Sequence, residues 1–209
     1  MQIEADKPEL RITVFSDYIC PFCYIGDARL ERLRAEYDVR VNWCFLEIHP
    51  ATPEEGMSVS GLGYDEARWR QMMEALARMA EEEGLAFAEH DFTTNSHRAL
   101  LLAEAAKEEG QKIFYSLHRK LFEAFFCERL NIGDTGVLTR LAHAAGVSAS
   151  VVERAWVDQH LEARLQQNLA AARELAVRAT PTFFLGQQRL DGAVSLDRLQ
   201  HAARAAVSG

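Results

Sequence analysis

No stretch of this sequence comes near the roughly 20 consecutive apolar residues needed to cross a bilayer, so no membrane partner is expected. An excess of positive charge is missing as well. Lys and Arg number 23 against 31 Asp and Glu, for a formal net charge of −8. Nucleic-acid binding asks for the opposite balance, a basic face that releases counterions, and none is expected here. Blocks of like charge go no further than Glu81-Glu82-Glu83, which reads as a solvated helix face. There is no internal repeat and no low-complexity linker. Met1 to Leu10 has neither the basic nor the apolar region of a secretory signal, so a cytoplasmic location is expected. Structural disulfides are rare in a reducing compartment, and the four cysteines therefore call for another explanation.

The 209 residues, 48% apolar and 26% charged, suit one globular unit or a small one carrying an insertion. Ile12-Thr13-Val14-Phe15 reads as a buried strand, Gly26 to Tyr37 as a helix and Val39 to Ile48 as a second strand ended by Pro50 and Pro53. A loop rich in Gly and Ser runs to about Gly63. Helical periodicity then dominates, with a break near Gly84 to Thr94. Helices are predicted over about Asp65–Glu83, Gln111–Cys127, Thr135–Ala145, Ser148–Asp158 and His160–Val177, with Gly146 as a C-terminal stop and Ser148 as an N-cap. Ala179 to Gly186 reads as a strand ending in a turn, Gln188 to Leu190 as a second strand joined to it as a hairpin, and Ser195 opens a closing helix. The fold class is α/β: β-α-β and β-β-α halves form one sheet, with a large all-helical insertion between them. The expected division is a discontinuous sheet domain, 10–62 with 160–207, and a helical domain, 63–159.

Cys20-Pro21-Phe22-Cys23 carries the chemistry. At i and i+3 on a first helical turn, both thiols share a face within disulfide reach. Unpaired N–H groups and the positive end of the helix dipole favour a thiolate at Cys20. Pro21 costs little there, since a first-turn N–H has no intrahelical partner. Cys20 then attacks a disulfide, and Cys23 attacks Cys20 to release the reduced product. A zinc site would need a second ligand pair. Cys44 and Cys127 are isolated, so no metal is expected. Thr180-Pro181 would supply the second half of the site. A cis proline opening this strand would turn the backbone of Thr180 toward the cysteines, where it could pair with an extended substrate.

Several segments together resemble the DsbA-like thioredoxin superfamily, and within it the FrnE-like branch. They are Phe15 to Gly26, Pro50 with Pro53 to Gly56, Asn95 to Leu100, Leu121 to Phe126, Asn131 to Asp134, Thr180 to Phe183, and Gly192-Ala193, spread over about Arg11 to Ala205. The resemblance implies a thioredoxin fold with a helical insertion after the second strand. It implies a nucleophile at Cys20, a resolving thiol at Cys23 and a cis Pro181, with Pro21 and Phe22 as the motif's support. Related proteins often bury an acid six residues before the nucleophile, where this chain has Val14; Glu47 is the candidate substitute, against a solvent-facing position on an alternating strand. Thr at position 180, where many relatives have Val, leans toward reductase or isomerase work. Glutathione-using relatives place a polar contact near Asn95 and His97.

The function expected is thiol–disulfide exchange with protein or small-molecule substrates, with no tightly bound cofactor and glutathione as a conceivable co-substrate. The alternative is a glutathione-dependent isomerase or transferase, of the 2-hydroxychromene-2-carboxylate isomerase or kappa-class type. Those relatives typically have Ser in place of the first Cys. A pure binding module is the third reading. Cys44 is expected to serve packing and Cys127 to be a buried free thiol or half of a regulatory disulfide. Met72, Met73 and Met79 are expected to face the core, with an adaptable peptide groove as the alternative.

Overall fold

The computed structural model describes residues 7–88 and 91–208. The leader reading rests partly on Met1 to Asp6, and the break between helices contains Glu89 and His90; these lie outside the described residues. Strand β1 (Glu9–Ser16) buries Leu10, Ile12 and Val14 by alternation, then Phe15 and Ser16 on both faces. A strand covered on both sides belongs at the centre of a sheet. It pairs in parallel with β2 (Asp38–Phe45), from Glu9 opposite Asp38 to Ser16 opposite Phe45. On its other side it pairs antiparallel with β5 (Thr182–Leu185), Phe15 opposite Thr182. β6 (Gln188–Asp191) completes the order β2-β1-β5-β6. The two ends of the chain thus build one sheet, as expected.

A parallel pair needs a crossover, and helix α1 (Pro21–Leu33) provides it. It stops short of the expected Tyr37, and at its C-cap the Arg34 guanidinium donates to the carbonyl of Val39 at the start of β2. The helical stretch between the two sheet halves contains α2 (Glu66–Glu83), α3 (His97–Ala106), α4 (Gln111–Phe126), α5 (Thr135–Ala145), α6 (Ala149–Ala155) and α7 (Gln159–Glu174). Helix α8 (Leu196–Ser208) closes the chain. Gly146, at φ 89°, ends α5 as its sequence foretells. Ser148 precedes α6 but gives it no side-chain cap, since its hydroxyl donates to Glu109 instead. That helix is also shorter than expected. The chain breaks at Trp156, whose indole N–H bonds the carbonyl of Arg98, and restarts under an Asp158 cap. The expected Gly- and Ser-rich loop hides strand β3 (Met57–Ser58), paired with β4 (Phe92–Thr93).

The loop between β1 and α1 and the first turn of α1 are anchored on α4 by aromatic packing. Tyr18 lies edge-on to Phe122 at 4.9 Å, and Tyr24 stacks on Phe126 at 5.7 Å. A second anchor is Arg29 of α1, 2% exposed. Its guanidinium donates to the carbonyls of Ala193 and Val194 and to the carboxylates of Glu82 and Glu83, tying α2 and the β6–α8 loop to α1. Arg29→Met keeps an apolar side chain in place but strands two carbonyls and takes from the buried Glu83 carboxylate one of its two arginine partners, leaving Arg32 alone. We expect a loss of about 3 kcal/mol, seen as a lower urea midpoint at unchanged slope. A midpoint equal to that of the parent would show that this tie adds no stability.

Candidate active site

Cys20 sits at the N-cap of α1 with extended backbone (φ −88°, ψ 112°), and Pro21 takes the first helical position. The Cys20 amide donates to the carbonyl of Asp17 at 3.2 Å, and the Cys23 amide to the carbonyl of Cys20 at 3.0 Å. Both thiols are free and buried, Cys20 at 5% exposure and Cys23 at 2%. The Cys20 thiol donates to the carbonyl of Thr180 at 3.4 Å. The Thr180–Pro181 peptide is cis, and Pro181 is buried at the entry to β5. α1 passes so close that a Cβ on Gly26 would stand 2.8 Å from the Phe183 ring and 3.1 Å from that of Pro181. The structure therefore brings Cys20, Cys23, Thr180 and Pro181 into one site.

The two thiols have opposite chemistry. A hydrogen bond from Cys23 lowers the pKa of Cys20, and bonds from Thr180 and the Cys23 amide help to outweigh burial. Burial pushes Cys23 far up, with Cys20 adding to the effect. The arrangement favours ionisation of Cys20 and disfavours it at Cys23, one turn away.

Asp17 had no role assigned from sequence. It is fully buried and forms no ion pair among the described residues. Its carboxyl accepts from the amides of Ile48 at 2.8 Å and Ile19 at 3.3 Å. Burial nevertheless raises its pKa to about 7. The signal was available: an acid inside the otherwise buried run from Phe15 to Ile19. Val14, in the position where relatives bury an acid, packs in the core.

Glu47 does not stand on an alternating strand facing solvent. β2 ends at Phe45, and the half-buried Glu47 carboxylate meets His97 Nδ1 at 2.6 Å. His97 Nε2 meets Glu162 at 2.9 Å, and the Glu47 bond leads the effects that raise the pKa of His97. Asn95 accepts from the His97 amide and donates to the carbonyl of Pro50. Neither Asn95 nor His97 lines the cavity next to Cys20. Cys44 packs with Phe15 and Ala172. Cys127, half-buried at the end of α4, donates to the carbonyl of Ala86 at 3.1 Å.

That cavity measures about 570 Å3 and is bounded by Cys20, Phe22 and Thr180 on the redox side. α2 closes it opposite. Met72 lines it rather than facing the core, because α2 lies over a cleft there; Met73 both lines it and, like Met79 further along, packs against the cluster of Ile25, Leu76 and Ala80.

Comparison with known proteins agrees with this geometry. Residues 11–204 match the model of the DSBA-like thioredoxin domain. An uncharacterized protein of Bacillus subtilis, YwbO, is 30% identical, over 92% of this chain and 95% of its own. The crystal structure of a probable DsbA oxidoreductase from Streptomyces coelicolor superposes with a TM-score of 0.82 at 25% identity, over 95% of this chain and 90% of that one. A 2-hydroxychromene-2-carboxylate isomerase shares the fold at a TM-score of 0.72 and 20% identity, over 94% of each chain. Among the described residues no helix is long and apolar enough to cross a membrane. By sequence and by architecture, the chain belongs to the DSBA-like thioredoxin domain family.

Proposed function

We propose that this chain is a thiol–disulfide oxidoreductase in which Cys20 attacks and Cys23 resolves, acting on disulfides or dithiols of proteins or small molecules. The observation that carries the reading is the Cys20 thiol at the N-cap of α1, its pKa lowered, 3.4 Å from the carbonyl of Thr180. Cys20 thiolate attacks one sulfur of the substrate and expels the other as a thiolate. Cys23 gives up its proton and attacks Cys20, and the second substrate thiolate leaves. Two electrons pass to the substrate, and Cys20–Cys23 becomes a disulfide; the reverse sequence oxidises a dithiol. Cys20 and Cys23, with Thr180 and Pro181 beside them, form the working site.

A second reading, a glutathione-dependent isomerase, draws on the fold shared with the chromene isomerase and on the cavity next to Cys20. It gives Cys23 no task. A redox titration in glutathione buffers, with thiols trapped at each point, separates the two. A reversible Cys20–Cys23 couple is expected. A value near about −270 mV, the thioredoxin range, fits a reductase or isomerase in a reducing compartment, and one near about −120 mV, the DsbA range, fits an oxidant. If no such disulfide forms, the exchange reading fails and glutathione binding is the next measurement.

A further inference from the structure

We propose that the cavity next to Cys20 selects small disulfides whose sulfur is borne on an aromatic or bulky apolar body with one carboxylate, and that it disfavours glutathione. The proposal rests on the exchange chemistry above and names its substrate class. A volume of about 570 Å3 lies within the range of small-molecule sites. Trp69, Met72, Phe87 and Phe126 give it aromatic and thioether walls that adapt to a flat apolar body.

The charge pattern narrows the choice further. Asp and Glu number 31 in the chain, yet none lines the cavity among the described residues. Its one fixed charge is Arg178, exposed at the mouth and in no ion pair among the described residues. Arg178 stands two residues before Thr180, whose carbonyl receives the Cys20 thiol. The imidazole of His49 already accepts or donates a bond to the Tyr64 hydroxyl at 3.0 Å, and burial lowers its pKa. A carboxylate on the sulfur-bearing body finds one cation in the lining that also holds Cys20. Glutathione brings two carboxylates and an ammonium. Among the described residues the ammonium meets no acid at the cavity and the second carboxylate no further cation, and unpaired charge is costly to bring against apolar walls.

The probe is 5,5′-dithiobis(2-nitrobenzoate), an aryl disulfide with one carboxylate on each ring. Cys20 thiolate attacks one sulfur and releases one aryl thiolate. Cys23 loses its proton, attacks Cys20 and releases the second, so the dithiol loses two electrons and the aryl disulfide gains them. The reduced full chain is mixed with this probe, with uncharged 4,4′-dithiodipyridine, or with glutathione disulfide. Each single-turnover rate is divided by that of free N-acetylcysteine.

The normalised rate is expected to be highest for the nitrobenzoate and lowest for glutathione disulfide. Arg178→Gln should slow the nitrobenzoate about tenfold, as for one lost charge-assisted contact, and leave dithiodipyridine unchanged. Trp69→Ala should slow both aryl probes and spare glutathione disulfide. Arg198→Gln, an equally exposed charge away from the cavity, should change nothing. Equal normalised rates for glutathione disulfide and the nitrobenzoate would overturn the proposal, as would an Arg178→Gln effect shared by all three probes. Mass spectrometry of the product tests the underlying reading separately. A chain left as a stable Cys20–aryl adduct, with no Cys20–Cys23 disulfide, would refute the exchange cycle while the selectivity is still read from the first step.

Discussion

Cys20→Ser is expected to lower disulfide turnover by about three orders of magnitude or more, because an alcohol offers neither a thiolate near neutral pH nor a sulfur to form the mixed disulfide. The fold should survive, since Cys20 occupies an N-cap position that Ser accepts well. Cys23→Ser is expected to behave differently. Cys20 keeps its place at the helix start and still attacks, but nothing resolves the adduct. The introduced hydroxyl can donate to Cys20 as the Cys23 thiol does, so the first attack should persist while the mixed disulfide accumulates. Incubation with a disulfide substrate, acid quenching and mass spectrometry would show a covalent adduct on Cys23→Ser and none on Cys20→Ser. Full turnover in Cys20→Ser would sink the assignment, and turnover without adduct in Cys23→Ser would remove Cys23 from the cycle.

The parts of this molecule that were legible in sequence are those where one local rule acts alone. Alternation in β1, a Cys-x-x-Cys pair at a helix start, and a proline leading a strand each point to one structure. The residues misread are those whose place is set by partners far along the chain. Glu47 looks like part of an alternating strand until His97, fifty positions later, captures it. Met72 and Met73 sit on the apolar side of α2, and that side meets a cavity there because α1 and α4 do not close against it. β3 and β4 are two residues each, too short to carry a period, and exist because they pair with each other. The position where an acid was expected holds Val14, and Glu47 is tied to His97, while the buried acid lies in the loop just before the motif, at Asp17.

Asp17 should make the protein lose stability between about pH 4 and pH 7. Its carboxyl is raised from 3.8 to about 7 by burial, the largest cause, against the opposing bonds from Ile48 and Ile19, with Glu47 adding repulsion. In that window the native state still holds the proton that the unfolded chain has released, so the contribution is whole below the unfolded value and is lost as pH rises through the folded one. Three units at 1.36 kcal/mol each make about 4 kcal/mol in all, of which about 3 kcal/mol falls between pH 5 and pH 8. Asp17→Asn removes this slope. Its amide group also faces one of the two backbone donors, a cost of about 1–3 kcal/mol at every pH. The variant should therefore be the less stable protein at pH 5 and draw level with or pass the parent at pH 8. His97, raised mainly by its bond to Glu47, also loses stability as pH rises, but above 6.5 and in both proteins alike. Urea midpoints across this range give the comparison, and parallel curves for parent and variant would refute the assignment. The same substitution has a second readout at the thiol. Ionised Asp17 raises the pKa of Cys20, so the thiolate absorbance of Asp17→Asn should titrate at lower pH than that of the parent. A carboxyl that titrates near pH 7 in the loop carrying the nucleophile couples the stability of that loop to the charge on Cys20.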